Sequence, residues 1–202
     1  MYACFCTFLF FAAAALRPVF IAEPGYPPNA INGGTVVAEL ILSSGNVARV
    51  KILNGEAGAF GESAESALSA WRFAPEQKMP VIVVVHFRDP NFYSTGPATR
   101  TVTPPPAGLV LAYPKTVVDP AYPANSLGEG SVILRVDIAA SGAIADTEVI
   151  KEAGILTRAG VDAVRKWSFL PAKDARGRPA ESSIFAVLVF RMPVIAPTRP
   201  PK

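Results

Sequence analysis

The chain writes Trp-x-Phe-x-Pro twice, as WRFAP at residues 71–75 and as WSFLP at residues 167–171. A Tyr-Pro pair stands upstream of each copy, at Tyr26-Pro27 and at Tyr122-Pro123. Trp167 follows Trp71 by 96 residues, and Tyr122 follows Tyr26 by the same 96. Two unrelated landmarks that share one offset describe an internal duplication. A period near a hundred residues is too long for a solenoid repeat and suits two tandem small domains.

Composition agrees with folded units. Half of the 202 residues are apolar and 17% are charged, which is outside the range of disordered chains. The net charge of +3 comes from dispersed Lys and Arg, not from a basic block, so no nucleic-acid partner is expected. Both cysteines, Cys4 and Cys6, precede the body of the chain, and His86 is its one histidine. Neither a Cys/His catalytic site nor a histidine-rich metal site can be assembled from that set. No cofactor or metal is expected.

Residues 3–16 form an unbroken apolar run that Arg17-Pro18 ends. The run is shorter than the roughly 20 residues a membrane helix needs, and it reads as a secretory segment with a small-x-small cleavage position after Ala15. A weak anchor that also uses residues 19–22 is the alternative.

Beyond the leader, Val36, Ala38, Leu40 and Leu42 alternate along one face of a strand, and Gly45 supplies the turn into a second strand at residues 47–53. Ala64, Ala67, Leu68 and Trp71 have the spacing of a single apolar helical stripe, with Pro75 expected to end the helix. The segment VIVVVHF at residues 81–87 is a third strand. The same order returns with Val132, Leu134, Val136 and Ile138, a turn at Gly142, a helix carrying Gly160, Ala163, Val164 and Trp167 with Thr157 as its N-cap, and a final strand, IFAVLVF.

The expected fold class is therefore α+β: two tandem domains, each a three-stranded antiparallel sheet with one or two helices on one face. Residues 1–22 are assigned to the leader, 23–88 to the first repeat, 89–115 to a Pro-rich linker, 116–193 to the second repeat and 194–202 to a disordered tail. In extended form such a linker would hold the repeats tens of ångströms apart. Trp71, Phe73, Trp167 and Phe169 are expected to pin helix to sheet, and Tyr26 and Tyr122 to pack at the sheet edge. The carboxylates Glu39, Asp137, Asp146 and Glu148 fall on strands near turns and read as solvated.

Taken together, Tyr-Pro-x-x-A/S, a Gly-x-Val strand, Ser-Gly, a helix ending in Trp-x-Phe-x-Pro and a closing strand resemble the TonB C-terminal domain family, in two copies. DPAYPANS followed by GEGSVILRVDIAASGAI is the fuller match. The resemblance implies a non-catalytic envelope protein that works by contact. In this family the domain reaches across the periplasm and takes up a short segment of an outer-membrane transporter as an added strand. The uncharged third strands are the expected edges for such pairing, through Val83, Val85, Phe87, Phe185, Val187 and Val189. A proline at Val84 or Val187 is then expected to abolish pairing. An edge covered by its own termini or by the other repeat is the alternative, and self-association is a further use that such an edge allows.

The resemblance also implies a membrane anchor with a Ser/His pair in an energy transducer. Residues 3–16 hold neither residue. An exported soluble tandem binding module is therefore the competing reading, with membrane contact only through a retained leader. The expected location is periplasmic, or anchored in the inner membrane and facing the periplasm.

Overall fold

A computed structural model describes residues 16–56, 58–91, 98–124 and 126–194. The leader's cysteines and cleavage position, and nearly all of the expected tail, lie outside these residues. One eight-stranded sheet organises the rest, flanked by a three-stranded and a two-stranded sheet.

In the first half, β1 (Pro18–Phe20) is followed by the hairpin β2 (Gly34–Ser43) and β3 (Asn46–Ile52). Helix α1 (Ala59–Ser69), β4 (Arg72–Phe73) and β5 (Val81–Phe87) complete it. The connecting region supplies β6 (Thr99–Thr101) and β7 (Tyr113–Val118). The second half contains the hairpin β8 (Gly130–Ile138) and β9 (Ile144–Lys151), then α2 (Leu156–Val164) and β10 (Ser168–Leu170). A short hairpin of β11 (Ala172–Lys173) and β12 (Pro179–Ala180) leads into β13 (Ser182–Phe190).

The fold is α+β, but the two expected three-stranded sheets are not separate. The strand order β1-β4-β3-β2-β5-β13-β8-β9 fuses them through their third strands. Strands β5 and β13 run parallel, from Val83↔Phe185 to Phe87↔Val189. Each is antiparallel to its own hairpin on the other side, β5 to β2 and β13 to β8. The two halves therefore adjoin, and the extended linker does not hold them apart. Its β6 and β7 pair with each other, β7 pairs with β10, and Val102, Tyr113, Val117 and Val118 are buried in the core.

Parallel pairing places the helices on opposite faces. On one face, Val83, Val85 and Phe87 join Phe185, Val187 and Val189 beneath α1, Trp71 and Phe73. On the other, Ile82, Val84, Ala186 and Leu188 join α2, Trp167 and Phe169. This explains why both third strands are apolar without alternation: each is covered on two faces. Full burial of such side chains contributes about 1.5–3 kcal/mol apiece.

Two local expectations change. The helices end at Ser69 and Val164, before either tryptophan, and β4 starts ahead of Pro75, so the proline does not terminate α1. Thr157 lies inside α2, where its hydroxyl accepts the Ala153 amide at 2.9 Å, while Ile155 holds the N-cap position.

Candidate interaction site at the seam of the two halves

The landmark aromatics repeat their contacts at the sequence offset. Trp71 Nε1 donates to Ala22 O at 2.9 Å, and Trp167 Nε1 donates to Val118 O at 3.2 Å. Tyr26 Oη donates to Asn32 O and Tyr122 Oη to Gly128 O, both at 2.8 Å. Phe73 pairs with Pro18, and Phe169 with Pro114. Every one of these pairs is displaced by 96 residues from its counterpart. The turns match as well: Gly45 has φ of 77° and Gly142 of 84°, in the left-handed region glycine adopts without strain.

The tyrosines cross the seam. The Arg88 guanidinium, just past β5, lies 5.1 Å from the Tyr122 ring centre, and that of Arg191, just past β13, lies 5.6 Å from Tyr26. Each half thus holds the other half's tyrosine by a cation–π contact. Tyr26 also packs edge-on against Phe60 and Phe87, and its one hydroxyl hydrogen is shared between Asn32 O and Arg88 O, which lies 2.9 Å away. Burial first, then Asp89 and Asp119, raise its phenol above the ordinary value.

A buried polar relay runs through the same junction. His86 Nδ1 lies 2.9 Å from Thr35 Oγ1, and its Nε2 lies 2.8 Å from Asp119 Oδ1. His86 is fully buried and Asp119 is 2% exposed. Asp119 also accepts the Asp89 amide at 3.3 Å, and Arg100 stands 3.8 Å from its second oxygen. Burial alone would raise the Asp119 carboxyl, but the hydrogen bond and electrostatic pull of His86, with Asp89 and Arg100, outweigh it and hold the group below the usual range. Burial pulls the Arg88 guanidinium down, against the pull of Asp119 and Asp89. Arg88 Nε donates to Pro120 O at 3.1 Å. The arrangement has the order of a hydroxyl–imidazole–carboxylate triad. Its imidazole, on β5, is sealed from solvent, however, and its partners come from β2 and the end of β7, so it fastens three elements together. Nothing in the sequence pointed to it: Asp119 lies 33 residues from His86 in chain order.

The structure brings all six expected pairing residues together, but not at an edge. Val83, Val85, Phe87, Phe185, Val187 and Val189 are at most 2% exposed, and each is paired on both sides in the middle of the sheet. That placement corrects the reading of β5 and β13 as edge strands. Their missing charges reflect burial on two faces, not an open border. The carboxylates also differ from expectation. Glu39 lies 3.9 Å from Lys51, Asp137 pairs with Arg135 at 3.3 Å and accepts from Ser183 at 2.6 Å, and Glu148 pairs with Arg135 at 2.9 Å and with Arg17. These three are partly buried and ion-paired; Asp146 alone is exposed.

Residues 119–192 match the family model for the Gram-negative bacterial TonB protein C-terminal. The matched stretch begins at the relay carboxylate and includes Tyr122, the β8–β9 hairpin, α2, Trp167 and β13. Protein tonB2 of Pseudomonas aeruginosa is 44% identical over 73 residues, which are 34% of this chain and 26% of that protein. The chain thus spans about a quarter of the length of the curated relative it matches. Among the described residues, no helix is long and apolar enough to cross a membrane.

Proposed function

We propose that this chain is a non-catalytic protein of the Gram-negative cell envelope that works by protein contact, with two TonB C-terminal-like units fused through their third strands. The similarity of residues 119–192 to the TonB C-terminal carries the reading. The 96-residue offset of the Trp, Tyr and Phe contacts supports a second copy in the first half. Contact through an added strand, on the way to an outer-membrane transporter, is the partner class this reading brings with it. Capture of such a strand by Val85 or Val187 requires the β5–β13 seam to part.

The alternative is an exported tandem module with no link to a membrane motor. The ordering of residues 18–22 against Trp71 and β4 favours it, because the chain enters its first folded unit within a few residues of the apolar segment. The test is expression of the full chain in a Gram-negative host, with the mature N-terminus sequenced and its membrane partition measured. A periplasmic chain starting near Leu16 supports the exported module. A membrane-bound chain with the leader intact supports an anchored transducer. A cytosolic chain with its leader intact would overturn both.

A further inference from the structure

The two helices follow one plan and carry opposite charges. Residues 59–70 and 155–166 correspond at the 96-residue offset. The first stretch, AFGESAESALSA, holds Glu62 and Glu65 and no cation, a net −2. The second, ILTRAGVDAVRK, holds Arg158, Arg165 and Lys166 against one acid, Asp162, a net +2. All of these charged side chains are exposed. Arg158 and Asp162, 3.8 Å apart, are the one ion pair they make among the described residues. Arg72, past the end of α1, donates to the carbonyls of Ser69 and Trp71. Glu56 and Glu152 precede the two helices alike and leave the contrast unchanged. Because α1 and α2 cover opposite faces of the sheet, an acidic helix lies on one face and a basic helix on the other.

The basic helix also borders a groove. A cavity of about 440 Å³ lies between α2 and residues 119–123, with Ala121, Ala159 and Ala163 in its lining beside the exposed Ile155 and Lys166. In the first half the corresponding positions are tied together, for Ser63 Oγ donates to Gly25 O. Their counterparts 96 residues on are Ala159 and Ala121, whose side chains cannot make that bond. The exposed face of α1 carries only Ser66 and Ser69 besides its glutamates and Ala59, side chains short enough for close approach to a groove.

We infer that α2 and its groove receive the outer face of α1 from a second copy of this chain. The glutamates of the second copy's α1 then face Arg158, Arg165 and Lys166. A symmetric contact would set like charges against each other, acid on acid or base on base, so the order is head to tail. Each added copy leaves one acidic and one basic helix open at the ends, and the contact repeats as an open series. The net charge of +3 opposes association and exposed ion pairs are individually weak, so the contact is weak and sensitive to salt. The inference uses neither a strand border nor the leader and stands apart from the envelope reading.

The test is sedimentation of the full chain over a wide concentration range, at about 0.01 M and at about 1 M salt, where the screening length falls from about 30 Å to about 3 Å. Two variants change only exposed side chains. Glu62→Lys with Glu65→Lys makes both helices basic, and Arg158→Glu with Lys166→Glu makes both acidic. Circular dichroism checks that each folds, and the corresponding Gln replacements stand in for a reversal that does not. In low salt the wild-type mass rises with concentration past that of a dimer, and in high salt it returns to the monomer. Each variant alone associates at least about tenfold more weakly, because like charges now meet. An equimolar mixture of the two charge-reversed chains associates again. A monomer at every concentration, association that neither variant weakens, or a mixture of reversed chains that stays apart would each overturn the contact. Association through the apolar run at residues 3–16 would ignore both salt and helix charge, and so counts against it. Mass that stops at a dimer would overturn the head-to-tail order. A monomer whose α2 amides shift with added poly-glutamate would overturn a second copy as the occupant and assign the groove to a foreign acidic chain.

Discussion

At the scale of single residues, the tryptophans and the buried relay have distinguishable jobs. Trp71 is fully buried and Trp167 is 5% exposed, and the indole N–H of each ties a backbone carbonyl far away in the chain, that of Ala22 and that of Val118. Trp71→Phe and Trp167→Phe each orphan that carbonyl, which costs about 1–3 kcal/mol beyond any loss from the smaller ring. Urea midpoints of the two variants should fall by similar amounts. A large drop in W167F beside none in W71F would mean that the Ala22 contact contributes nothing to stability.

The relay makes a prediction in pH. Asp119 has a folded pKa below its ordinary value, so its contribution is present in full above that value and is lost as the pH falls through the folded pKa. The wild-type chain should therefore lose stability at pH below the ordinary carboxylate range, more steeply than Asp119→Asn, which has lost the ionic form throughout. The N variant should be less stable at neutral pH, with a flatter acid limb in denaturation followed against pH. Equal acid limbs would remove the relay from the stability of the seam.

At the scale of elements, the hairpins, both helices and the third strands follow from alternation, helical spacing and glycine turns. Gly45 and Gly142 show why: their backbones sit where only a residue without Cβ is unstrained, and a Cβ on either would stand within 2.6 Å of a neighbouring carbonyl oxygen. What the sequence pattern did not disclose was the partner of β5. A run such as VIVVVHF lacks the period of two that a one-sided strand shows, and that absence already says both faces are covered. Reading it as an uncharged border overlooked this. The short strands β1 and β7 were hidden for a different reason. β1 holds three residues, too few to show a period, and the six of β7, YPKTVV, do not alternate; each is defined by its pairing to the Trp-x-Phe segment far along the chain. The same non-locality hid the relay, whose three groups come from distant positions. The consequence for mutagenesis is direct. Val187→Pro removes a ladder donor and inserts a rigid ring into a strand paired on both sides, so it should abolish folding and not merely partner binding. Circular dichroism and soluble yield read this, and a folded V187P would contradict the central placement of β13.

At the scale of the whole molecule, the parallel seam makes the two halves one thermodynamic body. Each third strand completes the core beneath the other half's helix: Phe185 lies 5.6 Å from the Trp71 ring, and His86 lies 6.0 Å from Trp167. Arg88 and Arg191 exchange tyrosines across the same line. Two beads on a linker would unfold in two steps, whereas cores that share both central strands should melt in one, with calorimetric and van't Hoff enthalpies equal. The sharper form of this prediction comes from division. Residues 16–88 alone would retain the β2–β3 hairpin and α1 but lose the strand beside β5, leaving a long apolar border without a ladder partner and Ile82 and Val84 without α2 above them. Such a border is a template for pairing with another chain. The fragment should elute on size exclusion as a concentration-dependent dimer or larger species, and equimolar addition of residues 98–194 should return it to a one-to-one complex. A fragment that stays monomeric and folded at high concentration would show that the halves are stable alone and that the seam is a contact between finished domains.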